Sequence, residues 1–215
     1  MGRGINAGST GAGHRRKHEQ YIYLATGDEK FTILYNVITQ RHAERILIFV
    51  NTRNEAASVA TRLNAYGCTC SLLTGEVPQH KRLARLEAFR SGQRRVLVAT
   101  DVAGRGIHVS GIDYVINYTL PFEPEDYVHR IGRTGRAGEQ GIAISFACET
   151  GAFYLPAIEE YLARQIPCVN PDEQLLKPLP ARAGNARSAG AQPSSRGKRR
   201  GSPRKGRKKM ARQRS

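Results

Sequence analysis

The chain repeats one pattern over residues 20–164, in which a short apolar stretch is followed by a segment with apolar residues at helical spacing. The most constraining stretch is residues 46–50, Ile-Leu-Ile-Phe-Val, because an apolar run without polar alternation is typical of a parallel strand that is covered on both faces. Strands that alternate with helices imply βαβ units with right-handed crossovers. We therefore predict an α/β fold: a doubly wound, mostly parallel sheet with helices on both faces.

The same pattern gives approximate bounds for each element. The predicted strands cover residues 21–24, 46–50, 69–73, 96–99, 114–117 and 142–146. The predicted helices cover residues 54–66, 78–89, 125–131 and 152–164, and another helix follows Asp28 and Glu29. Gly67 ends one of these helices and Pro78 begins the next, as glycine and proline commonly do.

Residues 129–136, His-Arg-Ile-Gly-Arg-Thr-Gly-Arg, place three arginines within seven positions among glycines. A guanidinium is always charged and its planar fork matches phosphate oxygens, while Gly132 and Gly135 allow a ligand to approach the backbone. The pattern favours a phosphate-facing loop, and its alternative is a solvated basic turn.

Two other polar segments directly follow predicted strands, at residues 51–53 and 100–106. Ligands of open α/β sheets bind outside the carboxyl ends of the strands, so these segments are candidates for a shared site. Gln79 and Arg82 lie three positions apart near the start of a predicted helix, where the helix dipole favours phosphate. The alternative is that Gln79 and Arg82 form an ordinary solvated helix face, and that Thr52 and Thr100 only cap strand ends.

With these segments in this order, residues 14–180 resemble the second RecA-like domain of DEAD-box RNA helicases. In that family residues 49–53 would be motif IV, Gln79 with Arg82 motif IVa, residues 100–106 motif V and residues 129–136 motif VI. The members found in the bacterial RNA degradosome are the most similar, through three segments at residues 106–108, 145–149 and 155–159.

The resemblance implies a role for each matching residue. The catalytic arginine fingers that reach the γ-phosphate of ATP would be Arg133 and Arg136. The ATP-binding residues would be Gly106, His108, Arg133 and Arg136. Coupling to the first domain would involve Asp101, His129 and Arg130. The RNA backbone would be bound by Thr52, Arg53, Gly75, Gln79, Arg82 and Thr100.

One of these positions departs from the family pattern. His108 stands where the family usually has an aspartate that accepts hydrogen bonds from the ribose hydroxyls. A neutral imidazole accepts one hydrogen bond where a carboxylate accepts several, so we expect weaker nucleotide capture, unless His108 points elsewhere. The sequence offers no evident aromatic platform for RNA bases, and we expect Phe122 and Tyr127 to be packing residues.

The printed sequence contains neither a Walker A pattern, G-x-x-x-x-G-K-[ST], nor the acidic pair that holds Mg²⁺. ATP with Mg²⁺ would therefore be bound mainly by a first RecA-like domain, and this chain would be inactive alone. The implied partners are that domain, single-stranded or duplex RNA bound without sequence preference, and a degradosome RNase near residues 152–164. The other function class is a non-catalytic RNA-binding or scaffold module of the same fold.

The formal charge of +16 is unevenly placed, because residues 181–215 contain 13 Lys and Arg and no acidic residue. This tail is poor in apolar residues, so we predict that it is disordered and tethers RNA electrostatically. An acidic protein partner or a solubilising end are the alternatives. Residues 1–13, rich in Gly and Ser, are expected to be a flexible leader, which leaves residues 14–180 as the domain.

The cysteines indicate neither a disulfide framework nor a metal site. Cys68, Cys70, Cys148 and Cys168 form no C-x-x-C pair, and no histidine lies at zinc-ligand spacing from them. We interpret them as small buried groups in a reducing cytosol, the alternative being metal ligands. Neither an apolar run of membrane-spanning length nor a secretion signal occurs in the printed sequence, so we expect a cytoplasmic location.

Overall fold

The computed structural model describes residues 18–41, 43–105, 107, 109–135 and 141–182. Among them, seven strands form one sheet in the order β3-β4-β2-β5-β6-β1-β7, and every pairing is parallel. The strands are β1 (His18–Leu24), β2 (Ile46–Val50), β3 (Cys70–Leu73), β4 (Val96–Thr100), β5 (Tyr114–Asn117), β6 (Gly141–Ala147) and β7 (Cys168–Val169). The prediction of a mostly parallel α/β sheet is confirmed.

Helices connect the strands as the sequence pattern predicts. They are α1 (Lys30–Gln40), α2 (Arg53–Ala65), α3 (Gln79–Arg90), α4 (Asp101–Gly104), α5 (Pro124–Ile131) and α6 (Leu155–Leu162). The single helix expected over residues 152–164 is instead a 3₁₀ turn, Ala152–Tyr154, followed by α6. Because Ala163 adopts the left-handed conformation (φ 50°), α6 ends before it.

Strand β2 shows why its sequence has no polar alternation. Ile46, Ile48 and Val50 pack into the core cluster that includes side chains of α1 and α2. Leu47 and Phe49 pack into a second cluster with Phe89 of α3. Helices therefore cover both faces of β2, and every position of this strand is buried.

A third cluster lies beneath α5 and α6 and contains Ile22, Leu120, Tyr127 and Ile158. Tyr127 is fully buried there, which confirms the expected packing role. The same expectation for Phe122 is wrong, because its side chain is 57% exposed. Phe122 lies in the loop between β5 and α5 and contacts only the edge of this region, its ring centroid 5.2 Å from that of Tyr154.

The cysteines differ in burial more than the sequence interpretation allows. Cys148 is buried, Cys68 and Cys70 are half-buried, and Cys168 is exposed. Cys168 is exposed because β7 is a two-residue strand at the outer edge of the sheet. Burial raises the pKa of the Cys70 thiol to about 11, so this group is protonated at neutral pH.

The predicted leader, residues 1–13, lies outside the described residues, as does the predicted tail beyond Arg182. Within the described ranges, no helix is both long and apolar enough to cross a bilayer.

Candidate nucleotide and RNA interface

Arg130 is the centre of the polar site at the carboxyl ends of the central strands, although it is only 1% exposed. Its Nε and Nη2 donate to the two carboxylate oxygens of Asp101 at 2.6 and 2.7 Å. Nη2 also donates to Asn51 Oδ1 at 2.7 Å. Nη1 donates to the Thr119 carbonyl at 2.7 Å and reaches Asn117 Oδ1 at 3.4 Å. All five guanidinium N–H groups thus have acceptors inside this domain.

These contacts join the ends of four strands through buried polar groups. Asn51 follows β2 and donates from Nδ2 to the Leu120 carbonyl at 2.8 Å. Asn117, the last residue of β5, donates from Nδ2 to Ser145 Oγ of β6 at 3.0 Å. Asp101 follows β4 and neutralises the charge of Arg130, which a buried guanidinium requires. Arg130 therefore holds the segment after α5 in a fixed position relative to β2, β4, β5 and β6.

Arg130 and Asp101 were expected to couple this domain to another. The structure gives them a contact with each other within this domain, and their coupling to a second domain stays a prediction. Any such coupling by Arg130 would act through Asp101 or the position of the following loop, because the guanidinium has no N–H group left to donate.

Thr52 caps the helix that follows β2. Its Oγ1 accepts from the Glu55 N–H at 3.2 Å, and the Glu55 carboxylate accepts from the Asn51 N–H at 3.3 Å and from the Thr119 hydroxyl. This is a variant of the capping box that also ties α2 to the end of β5. Thr52 is thus a helix cap that remains exposed, whereas Thr100 is buried and makes no side-chain cap at α4.

An open groove of about 500 Å³ lies over these strand ends. It is lined by Asn51, Thr52, Arg53, Gly75, Glu76, Thr100, Asp101, Val102, Arg105 and Asp126. Four of the six predicted RNA-binding residues are therefore brought together: Thr52, Arg53, Gly75 and Thr100.

The two cations on this groove each have an acidic neighbour. Arg53 forms an exposed ion pair with Glu76. Arg105 Nη2 donates to Asp126 Oδ1 at 2.8 Å, and this hydrogen bond and the charge of Asp126 raise the pKa of Arg105. The Arg53–Glu76 pair is exposed on both sides, and such pairs stabilise a protein little, so a phosphate can replace the Glu76 carboxylate at small cost.

The other two predicted RNA-binding residues do not line the groove. Gln79 is exposed at the start of α3. Arg82 is half-buried, and its Nη2 donates to the Ala103 carbonyl at 2.5 Å, which ties α3 to α4. The sequence argument that Gln79 and Arg82 share one face is therefore too simple, because Arg82 turns back to a backbone acceptor.

A shallow depression beside the groove contains the predicted arginine finger. Its lining includes Asp126, His129 and Arg133. Arg133 donates from Nε to the His129 carbonyl and from Nη1 to the Ile107 carbonyl, each at 3.1 Å. His129 is exposed, and its Nδ1 is 3.7 Å from Asp126 Oδ1. The predicted site residues Gly106, His108 and Arg136 lie outside the described residues.

Sequence reasoning missed several residues that position this site. Thr134 is buried and donates from Oγ1 to the Ile112 carbonyl, which anchors the loop after α5. A Cβ on Gly141 would collide with Thr134, so β6 must begin with glycine for this contact to form. Ser145 did carry a signal, since it is a polar residue in an otherwise apolar strand. Asn51 lay within the candidate segment 51–53, whereas Asn117 had only the weaker signal of a polar residue at a strand end.

The family model described as "Helicase conserved C-terminal domain" matches residues 29–138. A Pseudomonas syringae pv. tomato protein named ATP-dependent RNA helicase RhlB is 54% identical over 159 residues, which are 74% of this chain and 40% of that protein. A Xanthomonas oryzae pv. oryzae protein of the same name is 49% identical over 164 residues, 76% of this chain and 29% of that protein. The chain thus spans less than half the length of these curated relatives.

Solved structures show the same architecture. The Escherichia coli DEAD-box protein SrmB, bound to regulator of ribonuclease activity A, matches with a TM-score of 0.70 and 35% identity over 74% of this chain and 95% of that one. Dbp5 of S. cerevisiae, bound to RNA and ADP BeF3, matches with a TM-score of 0.67 and 31% identity over 74% of this chain and 45% of that one. The family match, the identities and the shared fold agree: the chain is similar to part of the proteins named RhlB and to the matching domains of DEAD-box proteins, and it belongs to the helicase conserved C-terminal domain family.

Proposed function

We propose that the chain is the second half of an ATP-dependent RNA helicase, in which it supplies arginine fingers for ATP hydrolysis and part of the surface that binds the RNA backbone. The observation that carries this proposal is the saturated Arg130 guanidinium. It fixes the loop that bears Arg133 beside the groove that contains Thr52, Arg53, Gly75 and Thr100. A catalytic and a binding surface are thereby held in one rigid arrangement.

The contacts of Arg133 suit an arginine finger. Two of its hydrogen bonds go to neutral backbone carbonyls, and one of these carbonyls belongs to Ile107, within the segment that the resemblance assigns to the nucleotide. A phosphate oxygen is a stronger acceptor than a carbonyl, because the hydrogen bond is then charge-assisted. When a first domain brings a γ-phosphate to the cleft, Arg133 with Arg136 would stabilise the transition-state charge, an effect of about 10³–10⁵ in rate.

The groove suits a nucleic-acid backbone. Gly75 and Thr52 are exposed on it, and Arg53 would exchange its weak ion pair with Glu76 for a phosphate. Contacts to phosphate and sugar do not distinguish bases, so the binding would be independent of sequence. In the closed state the RNA would be held in a bent form that is incompatible with a duplex, which separates strands locally during RNA processing or decay.

ATP with Mg²⁺ would be held mainly by the first domain in this scheme. This chain would border the nucleotide through Gly106 and His108, and its RNA-side residues would respond to the nucleotide through the shared anchor at Asp101 and Arg130. Hydrolysis would reopen the cleft and release the RNA.

The test is RNA-stimulated ATPase activity, measured with and without a supplied first RecA-like domain of the same family. We expect no turnover above background from this chain alone and RNA-dependent turnover from the pair. In the pair, Arg133→Ala and Arg136→Ala should each lower kcat by orders of magnitude and leave the free energy of unfolding almost unchanged. A matched control is Arg164→Ala, which removes an exposed guanidinium that contacts Gln20 far from the groove.

Two outcomes would contradict the proposal. RNA-dependent turnover by the purified chain alone would show that the chain contains a complete ATPase site. RNA binding that persists without any turnover after the first domain is supplied would favour the non-catalytic RNA-binding module.

A further inference from the structure

A second groove, of about 390 Å³, lies between α3 and the outer edge of β3, away from the groove at the strand ends. It is lined by Cys70, Ser71, Leu72, Ala84, Arg85, Ala88 and Arg94. Because β3 is the last strand on this side of the described sheet, this edge is open to solvent rather than covered by another strand.

The segment that forms one side of this groove is strongly basic, and two of its cations, Arg85 and Arg94, line the groove. Residues 79–95 contain six Lys and Arg and a single Glu. Residues 1–180 have a net charge of only +3, since the tail contains 13 of the 34 basic residues and none of the 18 acidic ones. Without residues 79–95, the remainder of residues 1–180 has a slightly negative net charge. The positive charge that would attract an anionic chain therefore lies mainly in residues 79–95.

Three cations of this segment are available to a ligand. Arg95 donates to three backbone carbonyls, Arg90 pairs with Glu87, and Arg82 donates towards α4, to the Ala103 carbonyl. The remaining cations have no carboxylate partner within the described part of the chain, and only one of them, Arg85, donates a side-chain hydrogen bond there, to the Leu72 carbonyl on the groove itself: Lys81, Arg85 and Arg94.

Helix α3 leads from the proposed RNA site to the second groove, although the two grooves share no lining residue. Helix α3 begins at Gln79, four residues after Gly75 on the first groove, and runs back along β3 towards Arg94. Lys81, Arg85 and Ala88 lie at helical spacing on one side of α3, where the small Ala84 and Ala88 leave room for a chain. A strand of RNA that leaves the first groove past Gly75 and follows α3 would reach this second groove.

The edge of β3 is already capped, which argues against a peptide that adds a strand. Asn64 Oδ1 accepts from the Cys70 N–H at 3.3 Å, and Arg85 Nη1 donates to the Leu72 carbonyl at 2.5 Å. An added strand would have to displace both side chains from the backbone groups that it needs. A phosphate chain needs only the cations, and Arg85 retains further N–H donors beside its bond to Leu72.

We propose that single-stranded RNA leaving the first groove continues along α3 and the edge of β3, with its phosphates on Lys81, Arg85 and Arg94. This inference rests on the proposed RNA binding and extends its footprint. The four residues of β3 span about 10 Å, a length over which successive phosphates of a single strand can contact the groove.

The test compares the full chain with the double variant Lys81→Ala/Arg94→Ala. Arg85 is left in place because it also caps β3. The matched control is Arg164→Ala/Lys177→Ala, which removes the same charge from exposed positions elsewhere. Affinity for oligouridylates of about 6 to 12 nucleotides, within the range of site sizes that single-strand binders use, is measured across a salt series. The tail is present in every variant and contributes equally.

We expect the groove variant to lose affinity for the longer RNAs and to match wild type on the shortest ones. Two lost phosphate contacts should make the log–log salt slope shallower by about 1.4, so the affinity gap to wild type narrows about sevenfold between about 50 and 200 mM salt. The control should retain the wild-type slope.

Three outcomes would overturn the inference in distinguishable ways. If both double variants behave alike while wild type binds the shortest RNA, the second groove is not an RNA path and the proposed function stands. If an Arg53→Ala variant binds RNA of every length as tightly as wild type, the first groove does not bind RNA and the proposed function fails with the inference. If the groove variant binds RNA normally but loses affinity for a poly-glutamate peptide, the groove recognises an acidic protein partner.

Discussion

Arg130 and Arg133 lie three positions apart but in different electrostatic surroundings. Arg130 is buried with a carboxylate, two side-chain amide oxygens and a backbone carbonyl around its guanidinium. Arg133 is half-buried beside the open groove, and the acceptors found for it are backbone carbonyls. Two arginines of one motif therefore differ in burial and in the charge of the groups around them.

Replacing Arg130 should destabilise the fold strongly. Arg130→Ala leaves the Asp101 carboxylate and three further acceptors without their donor, and breaking a buried pair costs about 3–5 kcal/mol. We expect the lower end, about 3 kcal/mol, because the Asp101 side chain is 22% exposed and water can reach it. Arg130→Lys should recover only part of this loss. The lysine keeps the positive charge beside Asp101, but its ammonium cannot form the bidentate contact. Urea unfolding measures both.

The matched control for Arg130 is Arg133→Ala, which we expect to change the free energy of unfolding by no more than about 0.5 kcal/mol. If both variants lost the same free energy of unfolding, both guanidiniums would be structural. The assignment of Arg130 as an anchor and Arg133 as an arginine finger would then be wrong.

Gly104 is a position at which the addition of a single Cβ atom should lower the stability of the fold. A Cβ at this position would collide with Phe49 Cε1 and lie 3.1 Å from Cζ, and Phe49 is buried beneath Arg130 with its ring centroid 5.3 Å from the guanidinium carbon. We expect Gly104→Ala to lower the free energy of unfolding by about 1–3 kcal/mol, as overpacking does. Gly75→Ala is the control, because its Cβ would meet only Val102 at 3.9 Å. If Gly104→Ala left the melting temperature unchanged, the predicted collision between its Cβ and Phe49 would be wrong.

At the scale of elements, the structure is most predictable where burial is periodic. The bounds of β2 and β5 coincide with the prediction, because an apolar run bounded by polar residues marks both ends of a buried strand. Helix α4 and strand β7 were not predicted. The first is a single turn and the second has two exposed residues, so neither has enough apolar residues to show a period.

The site was predictable only in part, for a related reason. The position of polar residues after β2 and β4 indicated where a ligand binds. The contacts of Arg130 join residues up to 79 positions apart, from Asn51 to Arg130, and no local pattern contains that pairing. Arg82 likewise turns to a carbonyl 21 positions away, which its helical spacing from Gln79 does not indicate.

The outer edge of β3 gives a prediction about solubility. An edge strand with free backbone groups can pair with another chain, and here Arg85 covers the Leu72 carbonyl. We expect Arg85→Ala to increase concentration-dependent aggregation, measured by light scattering during slow heating. Arg90→Ala is the control, because it removes the same charge from the same helix without exposing β3. Equal scattering from both variants would mean that the charge, and not the cap, keeps the edge soluble.

At the scale of the whole molecule, the fold and the tail differ most in charge. The carboxylates of residues 1–180 nearly balance their basic residues, whereas residues 181–215 have no acidic residue at all. An electrostatic tether adds affinity without geometric demands, while the grooves need phosphates at defined positions. RNA binding by the tail and RNA binding by the grooves should therefore differ in how strongly their affinities depend on salt concentration.

We expect the isolated chain to bind RNA mainly through residues 181–215. Counterion release gives a log–log salt slope of about −0.7 per phosphate neutralised on a single strand, so a chain ending near Pro180 should have a slope shallower by about 4 if roughly half of the 13 tail charges engage. The shortened chain should keep a weak, backbone-directed site on the folded part, at the groove that contains Thr52, Arg53, Gly75 and Thr100. The measurement is RNA affinity across a salt series for both chains. Coinciding slopes would assign the tail charge to an acidic protein partner instead.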